Sequence, residues 1–512
     1  MQKPTLVLVL AAGVLLAASA LAGSATATGA RSAKSGGQIT VADPLAPTTL
    51  DPISGASGGD YMSLYPIYDR LINFDPKTLA PEPGLATSWK YTQRKTLVLT
   101  LRSGVKFQDG TPFNAAAVKF NLERALTLPT SVVKTDIGSI RSIDVVSPLK
   151  VKLNLNKPDA SLVLTLADRA GMMVSPAAVK KWGANFGQHP VGTGPFIFVS
   201  YAPGDQMVVK KNTNYWQAGK PYLDKITFKY FTDQQTSDNA LKSHQADISL
   251  NVPAADVSAL KSVSGLNVVS RTSLLTDGCY MNSSRPALSN VLTRQAVASA
   301  IDRRALSSLL TFGLAIPTSQ VFPAGYWASD PKLVNPFQFN QAKAKSLLAQ
   351  AGYPNGLSIK AMAFNNTAEI RKGQIIQQQL KAVGINMSLD VTDVPTVAKS
   401  MFTDKSVDMV CASWSGRPDP SQTASSLFGA TSFYNSANYS PPGMAAALYT
   451  ASSAQTQAER AAGFSKVSAI NQQDIVWLPL LSEPNITAVW SNISGLVPNL
   501  AGKIDVSFLS RN

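Results

Sequence analysis

The chain has 512 residues, of which 45% are hydrophobic and 15% are charged, and its formal net charge is +15. This balance excludes a disordered chain, and the length allows about three domains or one large unit divided into lobes. The basic residues are scattered in pairs such as Lys180–Lys181 and Arg303–Arg304, without a run of five. Nucleic-acid binding requires a clustered basic surface, so we expect no nucleic-acid partner.

The first 27 residues have the pattern of a secretory signal peptide. Lys3 precedes the apolar stretch 5–22, and small residues provide cleavage sites after Ala22 or Ala27. A charged start, an apolar segment and small residues at the cleavage site are the three parts of such a signal. We therefore expect residues 1–27 to be removed on export.

The segment after the signal indicates a soluble exported protein. Residues 28–37 are rich in small and polar residues and are predicted to form a spacer. Ser24 stands where a bacterial lipoprotein signal carries its lipidated Cys, so no lipid anchor is expected. No later run approaches the roughly 18 apolar residues of a spanning helix. The sequence therefore predicts a soluble periplasmic protein.

Strand and helix patterns alternate along the mature chain. Period-two alternation predicts strands over 38–41, 96–102 and 149–155. Strand-like runs between the helices predict further strands over 266–270, 385–391 and 407–412. Helical periodicity predicts helices after Asn114 and Ser175, the second ending at Gly183, and over 233–246, 292–310, 341–351, 368–383 and 455–471. This alternation indicates an α/β fold, and the lack of a repeating period excludes solenoids and propellers.

The glycines of VGTGPF, residues 191–196, raise the question of a phosphate-binding loop. A dinucleotide fingerprint requires a third glycine, which is missing, and Pro195 directly follows Gly194. Proline disfavours helical backbone in the residue before it, so no helix N-terminus faces an anion here. We interpret Gly192 and Gly194 as a turn that leads into the strand 196–201.

Catalytic and metal-binding patterns are scarce. The chain has two histidines, His189 and His244, and lacks the H-E-x-x-H and C-x-x-C motifs, so we predict neither a metal site nor a cofactor. Residues 55–59, GASGG, match the G-x-S-x-G elbow of hydrolases around Ser57. Pro52 lies where that elbow needs a strand, so a glycine-rich loop is the preferred interpretation. A periplasmic hydrolase using Ser57 remains the alternative.

The two cysteines, Cys279 and Cys411, lie in apolar strand-like segments. In an oxidising compartment they can pair. Because unpaired Cys is often buried as a small apolar residue, the preferred prediction is two separate buried thiols.

Several segments resemble, in the same order, one family of transport proteins. They are TTLDP (48–52), LAPEPGLATSWKY (79–91), LTLRSGVKFQDGTPFNAAAVKFNLERA (99–125), the run from PVGTGPF to FKYF (190–231), LTRQAVASAIDRRAL (292–306), FNQAKAKSLLAQAGYPNG (339–356) and QQQLKAVGINMSLDV (377–391). They resemble the extracytoplasmic solute-binding proteins of ABC importers, of the peptide/nickel type called family 5. The resemblance covers nearly all of the mature chain.

The resemblance implies a two-lobed periplasmic-binding-protein (Venus flytrap) fold with ligand enclosed between the lobes. Lobe I would comprise 38–275, with an inserted subdomain at 70–178, lobe II would comprise 276–481, and 482–512 would return to lobe I. Hinge closure on a solute would present it to the permease and ATPase of an importer. The resemblance thus implies a monomeric binding protein, not an enzyme, for a peptide-like or other small polar solute. A chaperone or sensory protein on the same fold is a further alternative.

The resemblance also implies where ligand binds. Three segments of the family line the cleft, and here they supply Ser54, Ala56, Tyr61, Tyr280, Asn282, Trp414, Ser415, Arg417 and Asp419. Nickel, another ligand of the family, is disfavoured by the two isolated histidines.

Arg417 departs from the family pattern. In peptide-binding members, the third residue after the Trp is an Asp that pairs with the peptide's ammonium group. A guanidinium repels an ammonium group and suits a carboxylate or phosphate. Two interpretations stay open: Arg417 binds an anionic group of the ligand, or it pairs with Asp419 and stiffens the loop. A shifted loop would also let Asp419 receive an amine.

Overall fold

The computed structural model describes residues 34–55 and 60–512. The predicted signal peptide, most of the spacer, and the loop residues Ala56 and Ser57 lie outside these ranges. Within the described ranges, none of the helices combines the length and apolarity needed to cross a membrane.

The described residues form strands and helices that alternate as predicted. The strands are β1 (Gln38–Asp43), β2 (Ile72–Phe74), β3 (Pro81–Pro83), β4 (Ala86–Gln93), β5 (Thr96–Leu101), β6 (Ile140–Ser147), β7 (Lys150–Leu155), β8 (Phe196–Ala202), β9 (Gln206–Lys211), β10 (Lys225–Tyr230), β11 (Ile248–Ser249), β12 (Leu266–Met281), β13 (Ile316–Pro317), β14 (Leu357–Phe364), β15 (Ile385–Thr392), β16 (Met409–Ser415), β17 (Trp477–Trp490), β18 (Ile493–Ser494) and β19 (Ser510–Arg511). The α-helices are α1 (Asp60–Leu64), α2 (Ala115–Thr127), α3 (Leu162–Thr165), α4 (Pro176–Trp182), α5 (Gln234–Lys242), α6 (Val257–Lys261), α7 (Pro286–Ser289), α8 (Val291–Ala300), α9 (Arg303–Thr311), α10 (Gln341–Gln350), α11 (Thr367–Lys381), α12 (Val394–Ala398), α13 (Pro420–Phe428), α14 (Met444–Ser453) and α15 (Gln457–Asp474).

One sheet of eleven strands runs through both halves of the molecule. Its order is β15-β14-β16-β12-β17-β11-β1-β10-β9-β8, with β13 paired to β17. Strands β12 and β17 pass between the halves: 266–272 pair with 484–490, and after a register shift 275–280 pair with β17 while 275–281 pair with β16. The shift lies close to the limits expected for the lobes at 276 and 482, which remain predictions.

The glycine-rich segment before β8 allows a close approach of two backbone segments. A Cβ atom added at Gly192 would lie 2.1 Å from the carbonyl oxygen of Ile67, and one at Gly194 would lie 2.5 Å from its carbonyl carbon. The Gly194 amide donates to the Ile67 carbonyl at 2.9 Å. The glycines therefore lead into β8 as predicted, but the physical need for them is this packing contact.

The segment predicted as an inserted subdomain forms its own antiparallel sheet, β4-β5-β7-β6. The side chain of Asn114 accepts from the Ala117 amide and begins α2, and that of Ser175 similarly begins α4, as predicted. Buried apolar residues of this sheet belong to one cluster with Leu427 of α13 and Phe464 of α15. The amide of Ala160 also donates to the Ser452 carbonyl at 2.8 Å. The inserted segment is thus packed against the second half of the chain.

The helix expected over 292–310 is divided in two. Helix α8 ends at Ala300, and the Asp302 side chain accepts from the amides of Arg304 at 2.9 Å and Ala305 at 3.1 Å. An Asp that binds amides in this way begins a new helix, because it replaces the missing intrahelical acceptors. Apolar periodicity continues across the break, which explains why the sequence pattern did not reveal it.

The prediction of two separate thiols is wrong. Cys279 and Cys411 form a disulfide, and their Cα atoms lie 3.9 Å apart. The two residues are direct partners in the register of β12 and β16. Since 132 positions separate them in the chain, only the pairing of the strands brings them together.

Candidate functional site

A cavity of about 610 Å³ lies where four parts of the chain meet: Gly55 with 61–65, the inserted segment at 132–170, 280–434 and 501–503. Its volume is that of a typical small-molecule site. Its polar and aromatic lining includes Tyr61, Asp136, Asp168, Arg169, Tyr280, Phe402, Trp414, Ser415, Arg417, Tyr434 and Lys503. Five of the residues predicted from the sequence therefore line one cavity: Tyr61, Tyr280, Trp414, Ser415 and Arg417.

The centre of the cavity is a chain of hydrogen bonds between the halves of the protein. Arg417 Nη1 donates to the Tyr61 hydroxyl oxygen at 2.7 Å, and that hydroxyl donates to Asp168 Oδ2 at 2.9 Å. Burial, and then the neighbouring Asp168, raise the pKa of Tyr61 above its ordinary value, while Arg417 lowers it. Tyr61 is therefore a neutral phenol that both accepts and donates.

Two carboxylates of the inserted segment face this cavity. Asp168 is 5% exposed, and its Oδ1 has no hydrogen-bond partner among the described residues. Asp136 is partly buried, and burial raises its pKa to about 6, although the nearby Arg417 acts in the opposite direction. At neutral pH, Asp136 is therefore mostly ionised.

Arg169 neutralises a separate buried carboxylate. Its Nη2 lies 3.1 Å from Asp60 Oδ2, and both side chains are almost fully buried. Its guanidinium also lies 4.2 Å from the centre of the Tyr61 ring. This arrangement holds Tyr61 between two cations, because an aromatic face attracts positive charge.

Asp419 is not part of the cavity, which corrects one predicted site residue. It is fully buried, and both of its oxygens accept from Arg460 Nη2, at 2.6 Å and 2.9 Å. Its side chain also accepts from the Ser421 amide and begins α13. Asp419 therefore neither pairs with Arg417 nor receives an amine, because its lone pairs are engaged inside the second half of the protein.

Two further predicted residues have internal partners. The Asn282 side chain is fully buried and donates to the carbonyls of Lys405 at 3.3 Å and Val407 at 3.0 Å. Ser54 donates to Asp51 Oδ2 at 3.1 Å. Neither side chain lines the cavity, although Gly55, next to Ser54, does. Ala56 lies outside the described residues.

An aromatic wall completes the site. The ring of Trp414 meets Tyr434 edge to face at 5.0 Å between centroids, and Tyr280 meets Phe402 in the same way at 5.0 Å. Trp414 Nε1 donates to Thr423 Oγ1 at 3.2 Å, so the orientation of the indole is set. The wall offers apolar contact area beside the charged centre.

Sequence reasoning missed the charged residues of the inserted segment. Asp168 and Arg169 are a charged pair within the otherwise apolar stretch 162–174, which is the one local signal of a buried role. Asp136 and Lys503 carry no comparable signal. Only the folding of distant segments brings them to the cavity.

A second cavity, of about 690 Å³, adjoins the first and shares five lining residues with it: Ser413, Ser415, Gly416, Ala501 and Lys503. Asp277 of β12 faces it, whereas Tyr280 faces the first cavity, as alternation along a strand requires. Lys372 binds Asp277 Oδ1 at 2.7 Å and Glu369 Oε1 at 3.0 Å. Burial, and then Asp277, raise the pKa of Glu483 to about 7. Lys372 pairs with Asp277 and Glu369, and the Ser413 hydroxyl donates to Glu483 Oε1 at 3.0 Å. Because each of these acidic groups already has a partner, this cavity is the weaker ligand candidate.

The described residues contain no group of three or more His, Cys, Asp or Glu side chains arranged to hold a metal ion.

Known proteins resemble this chain along most of its length. Residues 80–435 match the family described as bacterial extracellular solute-binding proteins, family 5. The glutathione-binding protein GsiB of Salmonella typhi is 31% identical over 492 residues, which cover 94% of this chain and 95% of that protein. GsiB of Escherichia coli O157:H7 is 31% identical over 486 residues, covering 92% and 94%.

Solved structures resemble the fold. The periplasmic binding protein DppA of Helicobacter pylori, in complex with the peptide STSA, has a TM-score of 0.83 and 24% identity, covering 93% of this chain and 98% of that one. The binding protein AgaA of A. tumefaciens R10, in complex with agropinic acid, has a TM-score of 0.81 and 26% identity, covering 93% and 99%. The predicted two-lobed fold is thereby confirmed.

Proposed function

Since the chain belongs to the bacterial extracellular solute-binding proteins of family 5, we propose that it captures a small peptide-like solute carrying a carboxylate and delivers it to an ABC importer. The protein acts in the periplasm after removal of its signal peptide, and it binds its solute without turnover. Its partners are the permease and ATPase of the importer, and the protein itself is a monomer.

One observation carries the choice of an anionic ligand group. Arg417 lines the cavity, and among the described residues it makes no ion pair with a carboxylate; its hydrogen-bond partner there is the neutral Tyr61. A guanidinium is permanently charged and offers several donors in a planar fork, which suits a carboxylate. Arg417 is therefore the group that contacts the carboxylate of the solute, and Trp414 and Tyr280 supply apolar contacts.

The experiment begins with native mass spectrometry of the mature protein as purified, followed by identification of any solute released on denaturation. Titration calorimetry then compares glutathione, the solute named for the relatives, with the dipeptide Ala-Ala. We expect glutathione to bind more tightly, and Arg417→Met to weaken its binding by about tenfold or more, as loss of a charge-assisted hydrogen bond would do.

Two variants make the test specific. Arg417→Lys keeps the charge but loses the planar fork, so it should bind with intermediate affinity. Arg304→Met removes an exposed Arg of α9 and should bind as the unmodified protein does. If Arg417→Met binds glutathione and other carboxylates as tightly as the unmodified protein, the assignment of Arg417 is wrong. Product formed from glutathione, and lost in Ser57→Ala, would favour the hydrolase alternative.

A further inference from the structure

We infer that the cavity binds an unsubstituted α-amino acid head group, in which an ammonium and a carboxylate are attached to the same carbon. The carboxylate would contact Arg417 and the ammonium would contact Asp168. This inference rests on the proposed function of the same site. It names a ligand class that excludes ordinary α-linked peptides, whose first residue has its carboxyl group in an amide bond.

The spacing of the two charged groups is the first argument. Arg417 Nη1 and Asp168 Oδ2 each lie within one hydrogen bond of the same phenol oxygen, that of Tyr61. A cation and an anion held so close together match opposite charges held equally close on the ligand. The ammonium and carboxylate of an α-amino acid have this spacing, whereas the two ends of a dipeptide are separated by a further residue.

The unpartnered oxygen of Asp168 is the second argument. Asp168 is 5% exposed, lines the cavity, and its Oδ1 lacks a hydrogen-bond donor among the described residues. A buried acceptor without a donor is costly, and an ammonium group supplies both a donor and the opposite charge. Tyr61 already donates to Oδ2, so Oδ1 is the oxygen of Asp168 that is available to a ligand.

Charge balance is the third argument. Arg417 and Lys503 contribute two positive charges to the lining, and Asp136 and Asp168 contribute two negative charges. Arg169 is compensated by Asp60. A cavity whose charges balance favours a zwitterion over a net anion or cation.

Two kinds of solute share this head group: free amino acids such as glutamate, and γ-glutamyl compounds such as glutathione, whose peptide bond leaves the head group unsubstituted. Titration calorimetry on the mature full chain distinguishes them. The probes are L-glutamate, glutathione, the α-linked isomer Glu-Cys-Gly and N-acetylglutathione. We expect at least one of the first two to bind about tenfold or more tightly than the α-linked isomer.

The decisive measurement compares Asp168→Asn with the unmodified protein, each with glutathione and with N-acetylglutathione. The substitution should weaken glutathione binding by about tenfold or more, yet it should leave the weaker binding of N-acetylglutathione unchanged, since that ligand has no ammonium to lose. Asp144→Asn, the same substitution at an exposed ion pair of the inserted segment, is the control and should change neither. Its behaviour also shows whether the inserted segment tolerates such a change.

The possible failures are distinguishable. If glutathione binding depends on Arg417 but N-acetylation costs the same in Asp168→Asn as in the unmodified protein, the ammonium subsite is wrong while the proposed function stands. Equal affinity for glutathione and its α-linked isomer also overturns the head-group inference. If none of the four probes binds, the head-group inference is wrong, whereas the proposed function is decided by the solute that native mass spectrometry identifies.

Discussion

Substitution at the Arg460–Asp419 ion pair should lower stability and spare ligand binding, whereas substitution of Arg417 should weaken ligand binding and cost less stability. Asp419→Asn removes the carboxylate that accepts two hydrogen bonds from Arg460, which is 7% exposed. Breaking a buried ion pair by removing one partner costs about 3–5 kcal/mol, because the other charge stays buried and uncompensated. An Asn side chain can still accept the amide hydrogen bond at the start of α13, so the helix cap is kept and adds little to this cost.

Arg417→Met should destabilise less. The substitution removes one hydrogen bond from a charged group to a phenol, worth about 1.5–3 kcal/mol, and a Met side chain keeps most of the apolar contact area. The variant should nevertheless lose ligand affinity. Asp419→Asn, in contrast, should retain affinity at temperatures where it is folded, since Asp419 does not line the cavity.

Urea unfolding without ligand, followed by tryptophan fluorescence, measures the apparent free energy of unfolding for both variants. Asp404→Asn, which loses an exposed ion pair with Lys399, is the control and should change this free energy by less than about 1 kcal/mol. The reasoning is refuted if Asp419→Asn costs under about 1 kcal/mol, or if Arg417→Met is equally destabilising.

Three further predictions concern the backbone, the disulfide and a buried acid. Gly194→Ala places a Cβ atom 2.5 Å from the Ile67 carbonyl carbon and should lower the thermal unfolding midpoint sharply, whereas an unchanged midpoint would contradict the packing described. In denaturant, a thiol assay should detect no free Cys until reductant is added, and Cys279→Ser should lower the unfolding free energy by about 2–5 kcal/mol; two titratable thiols before reduction would disprove the bond to Cys411. Because the folded state raises the pKa of Glu483 from its ordinary value of 4.5 to about 7, ionisation of this group favours unfolding as the pH rises through that range. Glu483→Gln should therefore lose less stability than the unmodified protein between pH 5 and pH 8, and parallel curves would argue against the shift.

Much of the fold was predictable because its signals are local. The alternation of β5, the Asn114 cap of α2 and the Pro-containing start of α4 all arise from neighbours in the chain. The single helix predicted over 292–310 failed for a local reason as well, since the capping capacity of Asp302 outweighed the continued apolar pattern. The ordered resemblance to family 5 supplied the two-lobed architecture, which periodicity alone does not give.

The candidate site was only partly predictable. The sequence indicated Arg417, Tyr61 and Trp414, and it left open whether Arg417 pairs with Asp419. The structure excludes that pair, because Asp419 forms its ion pair with Arg460, which is 41 positions away in the chain. Short separation in the chain therefore said little about which charges meet.

The sequence by itself determined the α/β class, the pattern of an export signal, the departure from the family at Arg417 and the scarcity of catalytic groups. These properties depend on composition, on local periodicity and on residue identity at single positions. Tertiary structure decided which charges share the cavity. Asp168 approaches Tyr61 across 107 positions, and Arg417 approaches it across 356. Such contacts follow from strand pairing and domain packing, where many weak interactions act together and no local pattern specifies the outcome.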